Sequence, residues 1–182
     1  MIQSSFSRAV VTALALLTPG FAFAQVNSAA GTDVTVTATL PGSLTVSLDA
    51  VTLAFPLTAG SALNPGATPI NATTSWSLSA GHTAVILYAY FDSPAALVSG
   101  SATIANTLFT AKVDGGASLP FTAIVPFGAA YAVQILNETI TALNLVGSKV
   151  SVVTLNIDLS SAPTQAAGTY TGTLHFRAQA TP

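Results

Sequence analysis

Val34, Val36, Ala38 and Leu40 alternate with Thr35, Thr37 and Thr39. A period of two places the apolar residues on one face and the threonines on the other, which predicts a half-buried strand that needs a partner to cover Val34 and Val36. Pro41-Gly42 turns the chain, Leu44, Val46 and Leu48 resume the alternation, and Val51, Leu53 and Phe55 form a third set before a Gly-, Pro- and Asn-rich loop over 56–69. Ala72, Thr74, Trp76 and Leu78 share one face of the next predicted strand, so Trp76 is expected in the core. From Thr83 to Phe91 both faces are apolar, with Val85, Leu87, Ala89 and Phe91 opposite Ile86, Tyr88 and Tyr90. Such a segment is expected to be a central strand.

After a loop over Asp92–Gly100, strands are predicted near Leu108–Val113 and Leu119–Val125, joined by the turn Asp114-Gly115-Gly116. Pro126 ends the second of them. Tyr131, Val133 and Ile135 form another set, and Val153, Leu155, Ile157 and Leu159 a long penultimate one; Val152 breaks its parity, which predicts a bulge or the strand's beginning there. The last predicted strand runs from Thr169 to Ala178, with Tyr170, Leu174, Phe176 and Ala178 on one face. About nine or ten short strands between regular turns predict an all-β fold, an antiparallel two-sheet sandwich, with a closed β-barrel as the alternative that periodicity does not separate.

The first 24 residues carry a different pattern: Arg8, the apolar run Ala9–Leu17, a Pro19-Gly20 break and the small-x-small triplet Ala22-Phe23-Ala24. Together they predict a secretory signal cleaved before Gln25, leaving one domain over 25–182 and a periplasmic, cell-surface or extracellular destination.

Charge narrows the functions. Charged residues make up 5% of the chain, against about 25% in ordinary soluble domains. Beyond residue 24 the cations are Lys112, Lys149 and Arg177, too few and too scattered to displace phosphate counterions, so a nucleic-acid partner is not expected. No apolar run beyond residue 24 is long enough for a membrane-spanning helix. The chain has no Cys, which removes disulfides, thiol catalysis and thiolate metal sites.

Ala167-Gly168-Thr169-Tyr170-Thr171-Gly172-Thr173-Leu174 resembles the segment leading into the final strand of spore-coat-U-like and chaperone–usher pilin-like secreted proteins. The resemblance implies an immunoglobulin-like or pilin-like sandwich that assembles at the cell surface, sometimes by lending a strand to a neighbour. The absence of Cys departs from many members of these families, and no functional residue carries over.

Candidate chemistry is sparse. The acids are single and far apart in sequence, and no nucleophile elbow, phosphate loop or His-Glu-x-x-His motif occurs, so no enzyme, cofactor or metal is predicted. His82 falls in a turn and His175 on the last strand; both read as ordinary surface or strand histidines. Tyr88 and Tyr90, on the face opposite Val85 and Leu87, are the candidates for a sugar-stacking surface. The expected role is an exported structural or surface-assembly protein that self-associates through strand exchange, using Val34 and Val36, or through Thr-rich faces. The alternative is a small carbohydrate- or ligand-binding module using Tyr88 and Tyr90.

Overall fold

A computed structural model describes residues 37–38, 41–122 and 132–182. Contacts divide the chain into Met1–Ala38 and Thr39–Pro182, and every strand described belongs to the second unit. The signal segment and the alternating residues Val34 and Val36 lie outside the described residues, as do Tyr131 and the expected end of a strand at Pro126.

The larger sheet is antiparallel, in the order β1 (Ser43–Leu48), β3 (Ile70–Ser77), β10 (Val146–Ile157), β7 (Phe109–Val113), β8 (Ser118–Pro120), with the two-residue β2 (Asn64–Pro65) also pairing β10. The smaller sheet places β4 (Ala84–Tyr90) between β11 (His175–Thr181) and β9 (Val133–Thr139), and β5 (Ala95–Ser99) pairs β6 (Ala102–Ala105) as a separate hairpin. Neither sheet closes on itself, so the fold is an all-β antiparallel sandwich and not a barrel.

Alternation explains which residues form the core. Ile70, Ala72 and Trp76 of β3 and Val153, Leu155 and Ile157 of β10 are buried in one cluster with Val85, Leu87 and Ala89 of β4 and with Val133, Ile135 and Leu136 of β9. The Trp76 indole fits because Gly147 opposite it has no side chain: a Cβ there would lie 2.6 Å from Cζ2. Trp76 Nε1 donates to the Asn144 carbonyl at 2.9 Å, so the ring is buried without losing its hydrogen bond. Phe91, Phe109 and Phe121 pack edge or tilted at centroid separations of 4.7 to 6.5 Å and fill one end of the core. Asp114 and Gly115 have φ of 51° and 74°, the double left-handed turn that a tight hairpin between β7 and β8 requires.

Four expectations are corrected. Val51, Leu53 and Phe55 lie in no strand; Val51 is 93% exposed, while Leu53 and Phe55 are half-buried. The final paired strand begins at His175 rather than Thr169 and runs on to Thr181. Val152 marks no bulge: β10 begins at Val146, and Val152 is an outward residue in its middle. The bulge lies in the smaller sheet, between Leu87 and Tyr88, where two consecutive β9 residues, Ile135 and Leu136, turn inward. The expected loop after Asp92 folds instead into the β5–β6 hairpin.

Candidate functional site

Two extended segments that follow the period-two pattern, yet pair with almost nothing, flank a cleft of about 710 Å³. One wall is Leu48, residues 50–55 and Leu57; the other is residues 168–174 with Phe176. Phe91, Phe109, Ile70 and Leu155 lie at the bottom, so the cleft reaches the core itself. No lining residue is charged or titratable apart from the Tyr170 phenol. The side chains that an occupant turns into the cleft therefore have to be uncharged and largely apolar, because nothing there compensates a buried charge.

Each wall is fastened from its outer side. In the first, Asp49 N–H donates to the Asn71 carbonyl at 3.2 Å, and the Asp49 carboxylate accepts from Asn71 N–H at 2.8 Å and from its side-chain amide at 2.5 Å. These bonds hold the Asp49 carboxyl below its ordinary pKa, the Asn71 backbone N–H contributing most and its side-chain amide next. Further along, Ala67 N–H donates to the Ala54 carbonyl, and Thr58 N–H donates to Oδ1 of Asn64 at 2.6 Å. Asn64 is buried, and its amide nitrogen donates to the carbonyls of Ser61 and Ile157, both at 2.9 Å. Gly66 lets the wall lie close, since a Cβ there would meet Leu53 Cδ2 at 2.8 Å.

The second wall is clamped to the β5–β6 hairpin. Thr171 exchanges both backbone hydrogen bonds with Val98, at 2.9 and 3.0 Å. Gly172 sits so near β5 that a Cβ would overlap the Ala96 carbonyl oxygen, and one on Gly168 would come within 2.5 Å of Ser99 Oγ. Tyr170 Oη donates to the Ala166 carbonyl at 2.7 Å and lies 2.7 Å from Gln165 Nε2, which also reaches the Thr103 carbonyl. The Gly-Thr-Tyr-Thr-Gly run thus has a steric basis: glycines where backbones touch, and a tyrosine that ties the segment down.

Amide groups alternate sides along an extended chain. Because Thr171 spends both of its own on Val98, those of Tyr170 and Gly172 point the other way, and neither makes a backbone hydrogen bond among the described residues. The same holds for Leu53 and Phe55 on the opposite wall. Two unpaired edges facing an apolar trough are a template for an added strand.

The tyrosines are placed elsewhere. Tyr88 and Tyr90 lie on the outer face of the smaller sheet, with Tyr88 half-buried in register between Arg177 and Gln134. Tyr90 is only 7% exposed and stacks on His175 at 5.2 Å, and His175 Nε2 stands 3.4 Å from Asp92 Oδ2. The two rings are not a continuous exposed platform. His82 sits in a turn with Nδ1 3.0 Å from the Ser79 carbonyl, far along the sequence from the His175 group. Among the described residues no three His, Asp or Glu side chains gather as metal ligands. Sequence reasoning missed the cleft, although Gly168 and Gly172 at i and i+4 in an otherwise alternating strand were a signal of close backbone approach.

No family model, curated protein or solved structure matches the chain.

Proposed function

We propose that this is an exported structural protein that assembles by strand exchange, with residues 32–40 of one copy filling the cleft of the next. The observation that carries the reading is the cleft itself, an uncharged apolar trough between two unpaired edges. The alternation of Val34, Val36, Ala38 and Leu40 with threonines matches what such a trough accepts: apolar side chains on the core side, hydroxyls on the solvent side. Backbone hydrogen bonds to both walls supply affinity, and the spacing of the apolar side chains supplies register. The signal-like first 24 residues are compatible with assembly outside the cytoplasm, and the exported protein is expected to have an intact mass lacking them.

The absence of Cys provides a clean test. A Thr35→Cys population mixed with a Thr171→Cys population, both on the solvent side of their strands, is expected to form a disulfide-linked dimer on mild oxidation, whereas Thr35→Cys mixed with Gln179→Cys is not. A chain without residues 25–40 should remain folded and lose self-association. Disulfides formed only within a single chain carrying both Thr35→Cys and Thr171→Cys would overturn the exchange between copies.

A further inference from the structure

We propose that strand exchange brings a second contact with it: the turn around Leu143 of the copy that lends its strand packs on Val51, at the rim of the cleft that receives it. The proposal rests on the strand-exchange reading and adds to it residues of both copies that the exchanged segment does not include. Ser43, Ser77 and Val146 are in register and terminate β1, β3 and β10 at the same end of the larger sheet. Leu78 N–H donates to the Leu145 carbonyl at 2.8 Å, which sets the turn over 141–144 directly beyond that end. Only Pro41 and Gly42 separate Ser43 from Leu40. Three residue steps span at most about 11 Å, so a segment 32–40 seated in a neighbour's cleft draws this end of its own sheet up to the cleft rim.

Exposed apolar side chains lie where that approach places them. Among the described residues Leu143 and Val51 are the most exposed large apolar side chains, at 97% and 93%. Leu143 stands on the turn at the lending end, and Val51 on the receiving wall, two residues past the point where Asp49 is fastened to Asn71. The Leu143 turn is pinned by its own polar groups: Thr141 N–H donates to Asn144 Oδ1 at 2.6 Å, Leu143 N–H to Thr141 Oγ1 at 3.3 Å, and the Asn144 amide to the Thr139 carbonyl at 2.8 Å. A turn already fixed in this way loses little conformational freedom when its tip is covered. Residues 140–146 carry no charge, so the turn can be covered without burying an ion.

The contact is small and depends on the exchanged strand. Val146 lies two strand spacings from Ser43, roughly 10 Å, so the turn reaches the rim from beside the connector. One turn against one stretch of wall covers far less than the area of a free-standing interface. The short connector supplies what area does not, because it holds the two surfaces at a high effective concentration. The contact also sets the direction of the inserted segment, with Leu40 at the Val51 end of the cleft and Val34 toward Leu57.

The test mixes full-length chains with a short bifunctional maleimide. Leu143→Cys is expected to cross-link to Val51→Cys when the Val51→Cys chain also carries Val36→Asp, which stops that chain from lending a strand but not from receiving one. Moving Val36→Asp to the Leu143→Cys chain should abolish the cross-link. Leu143→Ser, at a position exposed in the single copy, should weaken self-association about tenfold, the size expected for burying one Leu, without changing the circular dichroism spectrum. Equal cross-linking in both arrangements, or cross-linking of Leu143→Cys to Leu63→Cys in place of Val51→Cys, would overturn the contact. Absence of the cross-link while the Thr35→Cys with Thr171→Cys disulfide forms would overturn the contact alone. Absence of both would overturn strand exchange and the contact with it.

Discussion

Gly172→Ala probes how tightly the cleft wall is seated. Gly172 has an ordinary φ, so the new methyl causes no backbone strain of its own; the cost is steric. Its Cβ would lie closer than 3.0 Å to the Ala96 carbonyl oxygen and 2.8 Å from Leu97 Cδ2. Because the first obstacle is backbone rather than a flexible side-chain end, the wall has to move away from β5. That movement stretches the paired bonds between Thr171 and Val98, each worth about 1 kcal/mol net. Overpacking adds about 1–3 kcal/mol. With partial relaxation the total is about 3 kcal/mol, and at about 2–4 °C per kcal/mol the midpoint should fall by about 6–12 °C. Thermal unfolding followed by circular dichroism measures it. Gly42→Ala is the control, since its Cβ would meet only the Ser77 carbonyl at 3.4 Å, an ordinary contact, and should change stability by no more than about 0.5 kcal/mol. If Gly172→Ala melted within about 2 °C of the parent, the clamp would be absent and the motif's glycines would need another explanation.

The remaining predictions concern polar groups. Thr74→Val should raise stability by about 1 kcal/mol, because Thr74 Oγ1 is buried without a hydrogen-bond partner and valine keeps the shape; a lower melting point would show that the hydroxyl is satisfied in solution. Asn64→Ala should cost about 2 kcal/mol in denaturant unfolding, since it orphans the Thr58 N–H and takes one donor from the Ile157 carbonyl and one from the Ser61 carbonyl, which keeps the Leu159 N–H; a loss under about 1 kcal/mol would contradict the anchoring role. The melting temperature should be nearly flat from about pH 4 to 9, which lies above the aspartate and below the lysine reference values. Asp49 and Asp158, the latter lowered by the Ser160 hydroxyl and then by its N–H, stabilise the fold above their unfolded pKa and lose that contribution as pH falls through the folded one. Lys149, raised by its hydrogen bond to Glu138, contributes below its unfolded pKa and loses that contribution as pH rises through the folded one, above the flat window. Calorimetry at half-unit intervals would test this, and a fall of more than about 10 °C inside the window would contradict it, since that requires several kcal/mol of coupled titration.

Period-two alternation was enough to determine the strand character of most segments, the inward sets of β3, β4 and β10, the core place of Trp76 and the antiparallel all-β class, because side-chain direction in an extended chain is a local property. The scarcity of charge, which leaves the cleft without a charged lining residue, is likewise plain in the sequence. Which alternating segments find partners is decided only by tertiary structure. Leu53 and Phe55 alternate as regularly as Leu44 and Val46, yet only the latter join a ladder, since a ladder depends on a neighbour contributed from far along the chain. Tyr90 has the same parity as Tyr88, but its burial against His175 depends on the register of β4 with β11. The cleft exists because Gly172 and Thr171 bind one wall to the β5–β6 hairpin while Asn64 and Asn71 hold the other to the β2–β3 side, and distances between segments some hundred residues apart are set by packing, which alternation does not encode.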